Sequence, residues 1–248
     1  MPQRRQGNAN TESVDNYLKA ILALSGLDKH RVASSSLATR LGVAPASVTN
    51  MLQKLASSPS PFVEYERHRG VLLSPAGERR ALEILRHHRL IETFLYELLD
   101  YPIDEVHQEA ERLEHFISER FEERIATKLG HPKFDPHGHC IPAMDGKMPT
   151  QISKPLTDLN EDGAYIVESV SDRDAPLLKR LRAHGITPGA RLQVESRSPD
   201  HFLLRSGSAS TPLRLSRDLA SAVRIRSPHQ RRKTKDAKCS LASARPRL

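Results

Sequence analysis

LATRLGVAPASVTNMLQKL, residues 37–55, contains the turn that decides the fold. Gly42 separates two short segments with helical spacing of apolar residues, and Leu52 and Leu55 mark the buried side of the second. Pro45 stands where a helix can begin, because the first N–H groups of a helix need no partner within it. The stretch therefore predicts a helix-turn-helix.

The flanking residues extend this unit. Upstream, the apolar residues from Val14 to Leu24 follow the spacing of a helix with one buried face, and Ser13 is a suitable N-cap. Downstream, FVEYERHRGVLLSPAG (62–77) alternates as a two-stranded hairpin does. We predict a winged helix-turn-helix over residues 13–76, preceded by a flexible N-terminus over residues 1–12.

The second helix of the motif exposes short polar side chains, which suit the major groove of DNA. Asn can pair bidentately with adenine, and Ser or Thr can bond to either class of base. The predicted exposed residues of this helix are Ala44, Ser47, Thr49, Asn50 and Lys54. The predicted phosphate contacts are Arg40, Lys54, Arg67, His68 and Arg69. The alternative is a chance motif with solvated polar residues, but the hairpin in the expected place disfavours it.

The rest of the chain divides by composition. Two helical segments, 75–99 and 103–128, are separated by Tyr101-Pro102 and predict a helical domain over residues 77–146. Apolar residues of the first segment predict a face for self-association: Leu82, Leu85, Leu90, Ile91, Phe94, Leu95 and Leu98. A linker over 147–155 precedes short β-type runs around one helix, which predict a small SH3-like β-barrel over 156–226. The fold class is thus mainly α with a β module.

Charge and cysteine content restrict the remaining possibilities. Residues 227–248 hold seven Lys or Arg and one Asp, and so supply +6 of the net +8; they are predicted to be a basic disordered tail. The body is nearly balanced, so local residues must carry any case for nucleic acid. Two distant cysteines, no apolar run of about 20 residues and no signal peptide predict a cytoplasmic protein without a membrane partner.

Histidines and carboxylates cluster on the two helical segments. On the first segment one histidine and one glutamate lie four residues apart. On the second segment four such residues lie at positions i, i+4, i+7 and i+8, so the residues of each segment are expected to share a helix face. These six residues are His88 and Glu92, then His107, Glu111, Glu114 and His115. The alternative is a solvated face with internal pairing, but six convergent N and O ligands, with no Lys or Arg facing them at comparable spacing, favour a metal site.

Enzyme signatures are missing from the sequence. It contains no His-Glu-x-x-His, no Glu-x-x-His pair of the ferritin type, no nucleophile elbow and no Gly-rich phosphate loop. We therefore predict that the chain is not an enzyme.

Five motifs in order carry a family resemblance: NYLKAI (16–21), residues 37–55, YERHRGVLLSPAGE (65–78), HHRLIE (87–92) and HQEAERLEH (107–115). In them the chain resembles the diphtheria toxin repressor family of metal-dependent regulators, including the manganese transport regulators. The resemblance spans Val14 to Gly146, with a weaker match over 156–225 to the FeoA-type domain of longer members.

The resemblance implies two metal sites per subunit. The primary site would use Glu111, Glu114 and His115, with Asn16 where relatives carry Met or Asp; the ancillary site would use His88, Glu92 and His107. Glu111 replaces the Cys of iron-type members, which favours Mn(II), with Fe(II) as the alternative. Because Asn16 is neutral, the primary site could need another oxygen, for which Asp15 is a candidate.

Three further aspartates are weaker candidates. Asp135 in DPHGH lies where some relatives place a cysteine ligand, although it could simply be a turn residue before Pro136. Asp172 and Asp174 are candidates for the ligands that the SH3-like domain contributes in iron-type relatives.

The function implied by the resemblance is repression of metal-uptake genes by a homodimer that binds a palindromic operator in double-stranded DNA when the metal is sufficient. A metal-storage or metal-delivery protein with a vestigial helix-turn-helix is an alternative. A third hypothesis is that the C-terminal module recruits a protein partner.

Overall fold

The computed structural model describes residues 5–26, 29–149, 152–207 and 211–229, with the backbone alone for residues 5–10. The chain forms two compact units. The first comprises Met1–Met148 with Asp172–Lys179, and the second comprises Pro149–Ser171 with Arg180–Leu248. Most of the predicted basic tail lies outside the described residues. No helix in the described part of the chain has the length and apolar character needed to cross a membrane.

The first unit begins with a winged helix. Its elements are α1 (Arg5–Ser25), α2 (Ser34–Leu41), α3 (Pro45–Ala56), β1 (Val63–Glu66) and β2 (Gly70–Leu73). Leu18, Ile21, Leu37, Val48 and Leu52 form its fully buried core. The helix-turn-helix and the hairpin therefore lie where the sequence predicts them.

The predicted start of α1 is wrong. The helix begins at Arg5, so Ser13 is not its N-cap, and the backbone is helical over residues 5–12, where we predicted a flexible segment. Helices can continue through polar residues unless proline or a competing cap interrupts them. No proline lies between Arg5 and Ser13.

Gly70 fixes the base of the wing. Its φ is 92°, and an added Cβ would lie 2.5 Å from the carbonyl oxygen of Val32. Val32 and Val71 exchange two backbone hydrogen bonds of 2.9 Å, which join the hairpin to the segment before α2. Only glycine allows this close approach in this conformation.

The helical domain contains α4 (Pro75–Leu98), α5 (Val106–Leu113) and α6 (Glu119–Lys128). The prediction of a single helix over 103–128 is wrong, because the chain leaves α5 at Leu113 and restarts at Ser118, whose Oγ accepts the Phe121 N–H at 3.3 Å. His115 therefore follows α5 instead of lying on a continuous helical face.

The predicted self-association face is mostly internal to the subunit. Leu90 packs with Ile125 and Ile141, while Ile91 and Leu95 pack with Val106 and other residues of α5. Leu82 is also buried. The large apolar side chains that remain exposed in this domain include Leu98, Leu99, Phe116 and Phe121. The prediction is wrong for the four residues that are buried within the subunit, namely Leu82, Leu90, Ile91 and Leu95, whereas Leu85 and Phe94 are partly buried and Leu98 is exposed.

The second unit is a β module. Its strands are β3 (Lys154–Pro155), β4 (Gly163–Val170), β5 (Arg191–Arg197), β6 (His201–Ser206), β7 (Leu213–Ser216) and β8 (Val223–Arg226). They form one antiparallel sheet in the order β3-β8-β4-β5-β6-β7. The helix α7 (Ala175–Ala183) follows β4, and its residues up to Lys179 belong to the first unit. The short helix α8 (Arg217–Ser221) lies between β7 and β8 in the sequence.

Candidate metal centres and DNA interface

His88 occupies the centre of the metal-ligating cluster. Its Nδ1 lies 2.6 Å from Glu114 Oε2, and its Nε2 lies 3.0 Å from Glu92 Oε1 and 3.1 Å from His107 Nδ1. His88, Glu92 and Glu114 are all buried. The sequence assigned His88 to the ancillary site alone, whereas its two ring nitrogens face both groups of ligands.

The predicted primary site is assembled from α1 and the end of α5. His115 Nε2 lies 3.2 Å from Glu114 Oε1 and 3.1 Å from Asn16 Oδ1. His88, Glu111 and Glu114 each have one ligand atom, and these three atoms lie within 4.8 Å of one another. Asn16 is thus close enough to contribute an oxygen beside His115.

Asp15 does not supply a spare oxygen. Arg80 donates from Nε and Nη2 to its two carboxylate oxygens, both at 2.8 Å, and Asp15 Oδ2 lies 3.4 Å from His115 Nδ1. Burial acts to raise the Asp15 pKa, but His115 and Arg80 outweigh it and lower that pKa. Asp15 is therefore placed to orient His115 from behind.

A basic residue does face the primary site, contrary to the sequence analysis. Lys19 Nζ donates to Glu111 Oε1 at 2.8 Å and to Glu114 Oε1 at 2.6 Å. Lys19 lies on α1, more than 90 residues before these glutamates, so spacing along one helix could not reveal it.

The predicted ancillary ligands also come together. His107 Nδ1 lies 3.2 Å from Glu92 Oε1 and 3.9 Å from Asp172 Oδ2. His88, Glu92, His107 and Asp172 have ligand atoms that all lie within 4.8 Å of one another. Asp174, the other candidate, instead accepts the backbone N–H of Leu177 at 2.9 Å at the start of α7.

Asp135 combines the two roles that the sequence left open. Its Oδ1 accepts the backbone N–H groups of His137 and His139, both at 2.9 Å, as a turn residue would. Its Oδ2 lies 3.3 Å from His139 Nδ1, and His139 Nδ1 lies 3.5 Å from Asp172 Oδ2. His137 and His139 were not predicted as site residues, although their placement after Asp135 in a loop that contains Pro136 and Gly138 was a usable signal.

Several buried polar atoms here have no hydrogen-bond partner. They include Glu92 Oε2, Asp135 Oδ2, His137 Nδ1 and His139 Nδ1. His137 Nδ1 lies 3.7 Å from Glu92 Oε2, while its Nε2 lies 3.0 Å from the carbonyl oxygen of Ile103. Nε2 must carry a proton to donate to that carbonyl, which leaves Nδ1 able to act as a ligand. Buried polar atoms are rarely left unpaired, so these residues fit a divalent cation.

Carboxylates strongly perturb the buried imidazoles. Burial lowers the His88 pKa, but the charge of Glu92 and contacts with Glu114 and Glu92 outweigh it and raise that pKa to about 10. Burial likewise opposes protonation of His137, but Glu92, Asp135 and Asp172 raise its pKa to about 9. At neutral pH these imidazoles hold protons with which a metal must compete.

We expect metal binding at this cluster to release protons. Because the pKa values of His88 and His137 are raised, Mn(II) affinity should increase from pH 6.5 to 8, by up to about tenfold per pH unit for each proton released. Calorimetry in buffers of different ionisation enthalpy measures this release. Equal heats in all buffers, with affinity independent of pH, would show that neither imidazole loses a proton to the metal.

The predicted DNA-reading helix presents the expected face. Ala44, Ser47, Asn50 and Lys54 are exposed around α3, whereas Val48, Leu52 and Leu55 are buried beneath it. Thr49 is only partly exposed, and its Oγ1 donates to the Pro45 carbonyl at 3.2 Å. Among these residues Ser47 and Asn50 have the exposure and chemistry best suited to base edges.

The predicted phosphate contacts differ in position. Arg67 is exposed at the tip of the wing, and Arg69 is exposed beside it but donates to Glu66 Oε2 at 2.8 Å. Arg40 is half-buried and lines a cavity with Lys19 and Glu111. Its position gives no support to the predicted phosphate contact, because α2 directs it toward the carboxylate cluster.

Three family models match successive parts of the chain. Residues 10–71 match the iron-dependent repressor N-terminal DNA-binding domain, and residues 74–143 match the iron-dependent repressor metal-binding and dimerisation domain. Residues 154–227 match the FeoA domain. The three matched ranges correspond to the winged helix, the helical domain and the β module of the structure.

Known transcriptional repressors are similar to this chain along most of their own length. The iron-dependent repressor IdeR of Mycobacterium tuberculosis is 29% identical over 203 residues, covering 76% of this chain and 86% of IdeR. The HTH-type transcriptional regulator MntR of Lysinibacillus sphaericus is 32% identical over 116 residues, covering 47% of this chain and 81% of that regulator. A solved manganese-dependent transcriptional repressor in complex with manganese is 35% identical, with a TM-score of 0.79, covering 86% of this chain and 98% of that one. The chain belongs to the diphtheria toxin repressor family of metal-dependent transcriptional repressors.

Proposed function

We propose that this repressor is activated by Mn(II) and that the active form is a homodimer on a palindromic operator, where it represses metal-uptake genes. The observation that carries the proposal is the meeting of α1 with the end of α5. Asn16 lies on α1, which belongs to the DNA-binding domain, whereas Glu114 and His115 belong to the metal-binding domain. Ligands from both domains thus lie at one site.

The chemistry of the residues supports manganese. The candidate ligands are imidazoles, carboxylates and one amide, a set that accommodates Mn(II) readily and contains no thiolate. Fe(II) remains the second candidate, because the same ligands bind it at least as tightly by the general affinity order. Selection between the two ions would then depend on site geometry and cellular availability.

The residues around the site perform the coupling. A bound divalent cation would supply a positive charge that joins the ligands of the two domains. Asp15 Oδ2 on α1 lies 3.4 Å from His115 Nδ1, and Arg80 on α4 donates two hydrogen bonds to Asp15, so both helices position the carboxylate that faces the imidazole. Fixing His115 and Glu114 relative to Asn16 therefore restrains α1, and with it the position of α3.

A titration of operator binding tests this function. Full-length protein is mixed with labelled duplexes from upstream of its own gene and from metal-transporter promoters, with Mn(II), anaerobic Fe(II) or Zn(II). The proposal predicts binding that depends on metal and prefers one duplex. Metal uptake without preferential DNA binding would instead support the storage or delivery hypothesis.

Base reading by α3 can be tested at Asn50. Asn50→Ala should weaken operator binding by about 1 to 3 kcal/mol and relax specificity at one base pair, because a bidentate contact would be lost. Arg67→Ala should weaken binding to all sequences and reduce its salt dependence. Anisotropy titrations on operator and scrambled DNA separate these effects. If Asn50→Ala loses the same affinity on both duplexes, Asn50 does not read a base.

A further inference from the structure

The ammonium group of Lys19 lies inside the proposed primary metal site. Its two hydrogen bonds, to Glu111 Oε1 and Glu114 Oε1, are 2.8 Å and 2.6 Å long. The side chain of Lys19 is 16% exposed, and that of Glu114 is fully buried. Charge-assisted hydrogen bonds of this length are strong, and burial reduces their screening by salt.

These contacts use the oxygen atoms that a metal would need. Glu114 Oε1 accepts from Lys19 and also lies 3.2 Å from His115 Nε2, while Glu114 Oε2 lies 2.6 Å from His88 Nδ1. A divalent cation bound to the same oxygen atoms would lie next to the ammonium, and like charges at such a distance repel each other. The ammonium and the metal therefore compete for Glu111 and Glu114.

The surroundings make displacement of Lys19 costly. Its flexible four-carbon side chain can turn away from the glutamates, and it lines an open cavity with Ser36 and Thr39. Arg40 and Arg173 line the same cavity. Glu111 lines it too, so an ammonium that leaves the carboxylates and enters this cavity shares it with two further positive charges and one of the carboxylates.

We propose that Lys19 is an internal cation that competes with the activating metal and sets the metal concentration at which the primary site fills. The inference rests on the proposed function, because it assumes that Glu111 and Glu114 are metal ligands. Lys19 then raises the threshold of the sensor: only a divalent ion at sufficient concentration replaces the ammonium on both carboxylates.

The test is direct metal binding by the full-length protein without DNA, measured by calorimetry and by the electron paramagnetic resonance signal of free Mn(II). Lys19→Met should tighten the dissociation constant of the Glu114-dependent site by about ten- to a hundredfold, because strong charge-assisted bonds no longer compete. Lys19→Gln should shift it in the same direction, and provides a polar variant should methionine impair folding. Lys19→Arg, which keeps the charge, should remain close to the wild type.

Lys29→Met is the matched control. Lys29 Nζ donates to the two carboxylate oxygens of Glu78 at 2.7 and 2.8 Å, and Glu78 is not a proposed ligand, so the loss of Lys29 should leave metal affinity unchanged. Unchanged or weaker affinity in both folded Lys19→Met and Lys19→Gln would overturn the competition. The competition would also be overturned if the Lys19 variants bound one additional Mn(II) ion while the dissociation constant of the Glu114-dependent site stayed unchanged. If Glu114→Gln leaves Mn(II) binding intact, the proposed function fails instead, whatever the Lys19 variants show.

Discussion

Glu114→Gln is expected to weaken activation of operator binding by Mn(II) by about a hundredfold or more, since changing a residue that only hydrogen-bonds to a metal ligand already costs about 10- to 100-fold. Glu114 is fully buried, and its two oxygens face Lys19, His115 and His88. Glutamine keeps the size of the side chain but removes the charge and replaces one acceptor with a donor. The variant should therefore remain folded while the primary site loses its central ligand.

The measurement is operator affinity as a function of Mn(II) concentration. Glu109→Gln is the control, because Glu109 lies on α5, which ends one residue before Glu114, and it pairs with Arg112 at 3.2 Å at the surface. It should respond to metal as the wild type does. A normal Mn(II) response in the Glu114 variant would exclude Glu114 as an essential ligand.

Glu92→Gln is expected to have the largest effect on stability. Glu92 is fully buried and faces His88, His107 and His137 at 3.0, 3.2 and 3.7 Å. Burial acts to raise the Glu92 pKa, but the charge of His88 and the contacts with His107, His137 and His88 hold it well below its ordinary value. Without this carboxylate, the buried imidazolium groups lose their negatively charged partner. The loss should destabilise the protein by about 3 kcal/mol at pH 7 in chelator.

Denaturant unfolding in chelator measures this loss, with the exposed Glu97→Gln on the same helix as the control. The raised pKa values of His88 and His137 give the sign of the pH dependence. Their contribution is fully present below the unfolded pKa of about 6.5 and is lost as pH rises through about 9 and 10. The difference between wild type and variant should therefore shrink at high pH. A variant as stable as wild type at pH 7 would contradict the buried network.

Local patterns predicted the elements that local interactions determine. The α3 helix begins at Pro45 and the wing strands flank residues 67–69, because proline geometry and strand alternation act over a few residues. The break after α5 was missed, since the N-cap at Ser118 competed with an unbroken apolar pattern. The start of α1 was missed because polar residues before Ser13 carry no periodic signal.

The candidate site shows the same division. Glu92, His107 and Glu114 could be identified from their spacing, and the structure brings each into contact with His88. Lys19 could not, because its contact with Glu114 spans 95 residues. The positions of His137 and Asp172 in the site depend on how two segments pack against α4 and α5. His137 lies in the loop after α6, and Asp172 lies in the segment after β4. Tertiary packing, which periodicity does not encode, determines those positions.

Operator affinity measured with and without Mn(II) tests the central claim most directly. Fluorescence anisotropy of full-length protein on its operator duplex should show about a hundredfold tighter binding with saturating Mn(II) than in chelator, the upper range of ordinary allosteric coupling. His115→Ala should bind the duplex equally weakly under both conditions. Full operator affinity in chelator, or normal Mn(II) activation of His115→Ala, would contradict a switch in which metal joins α1 to the metal-binding domain.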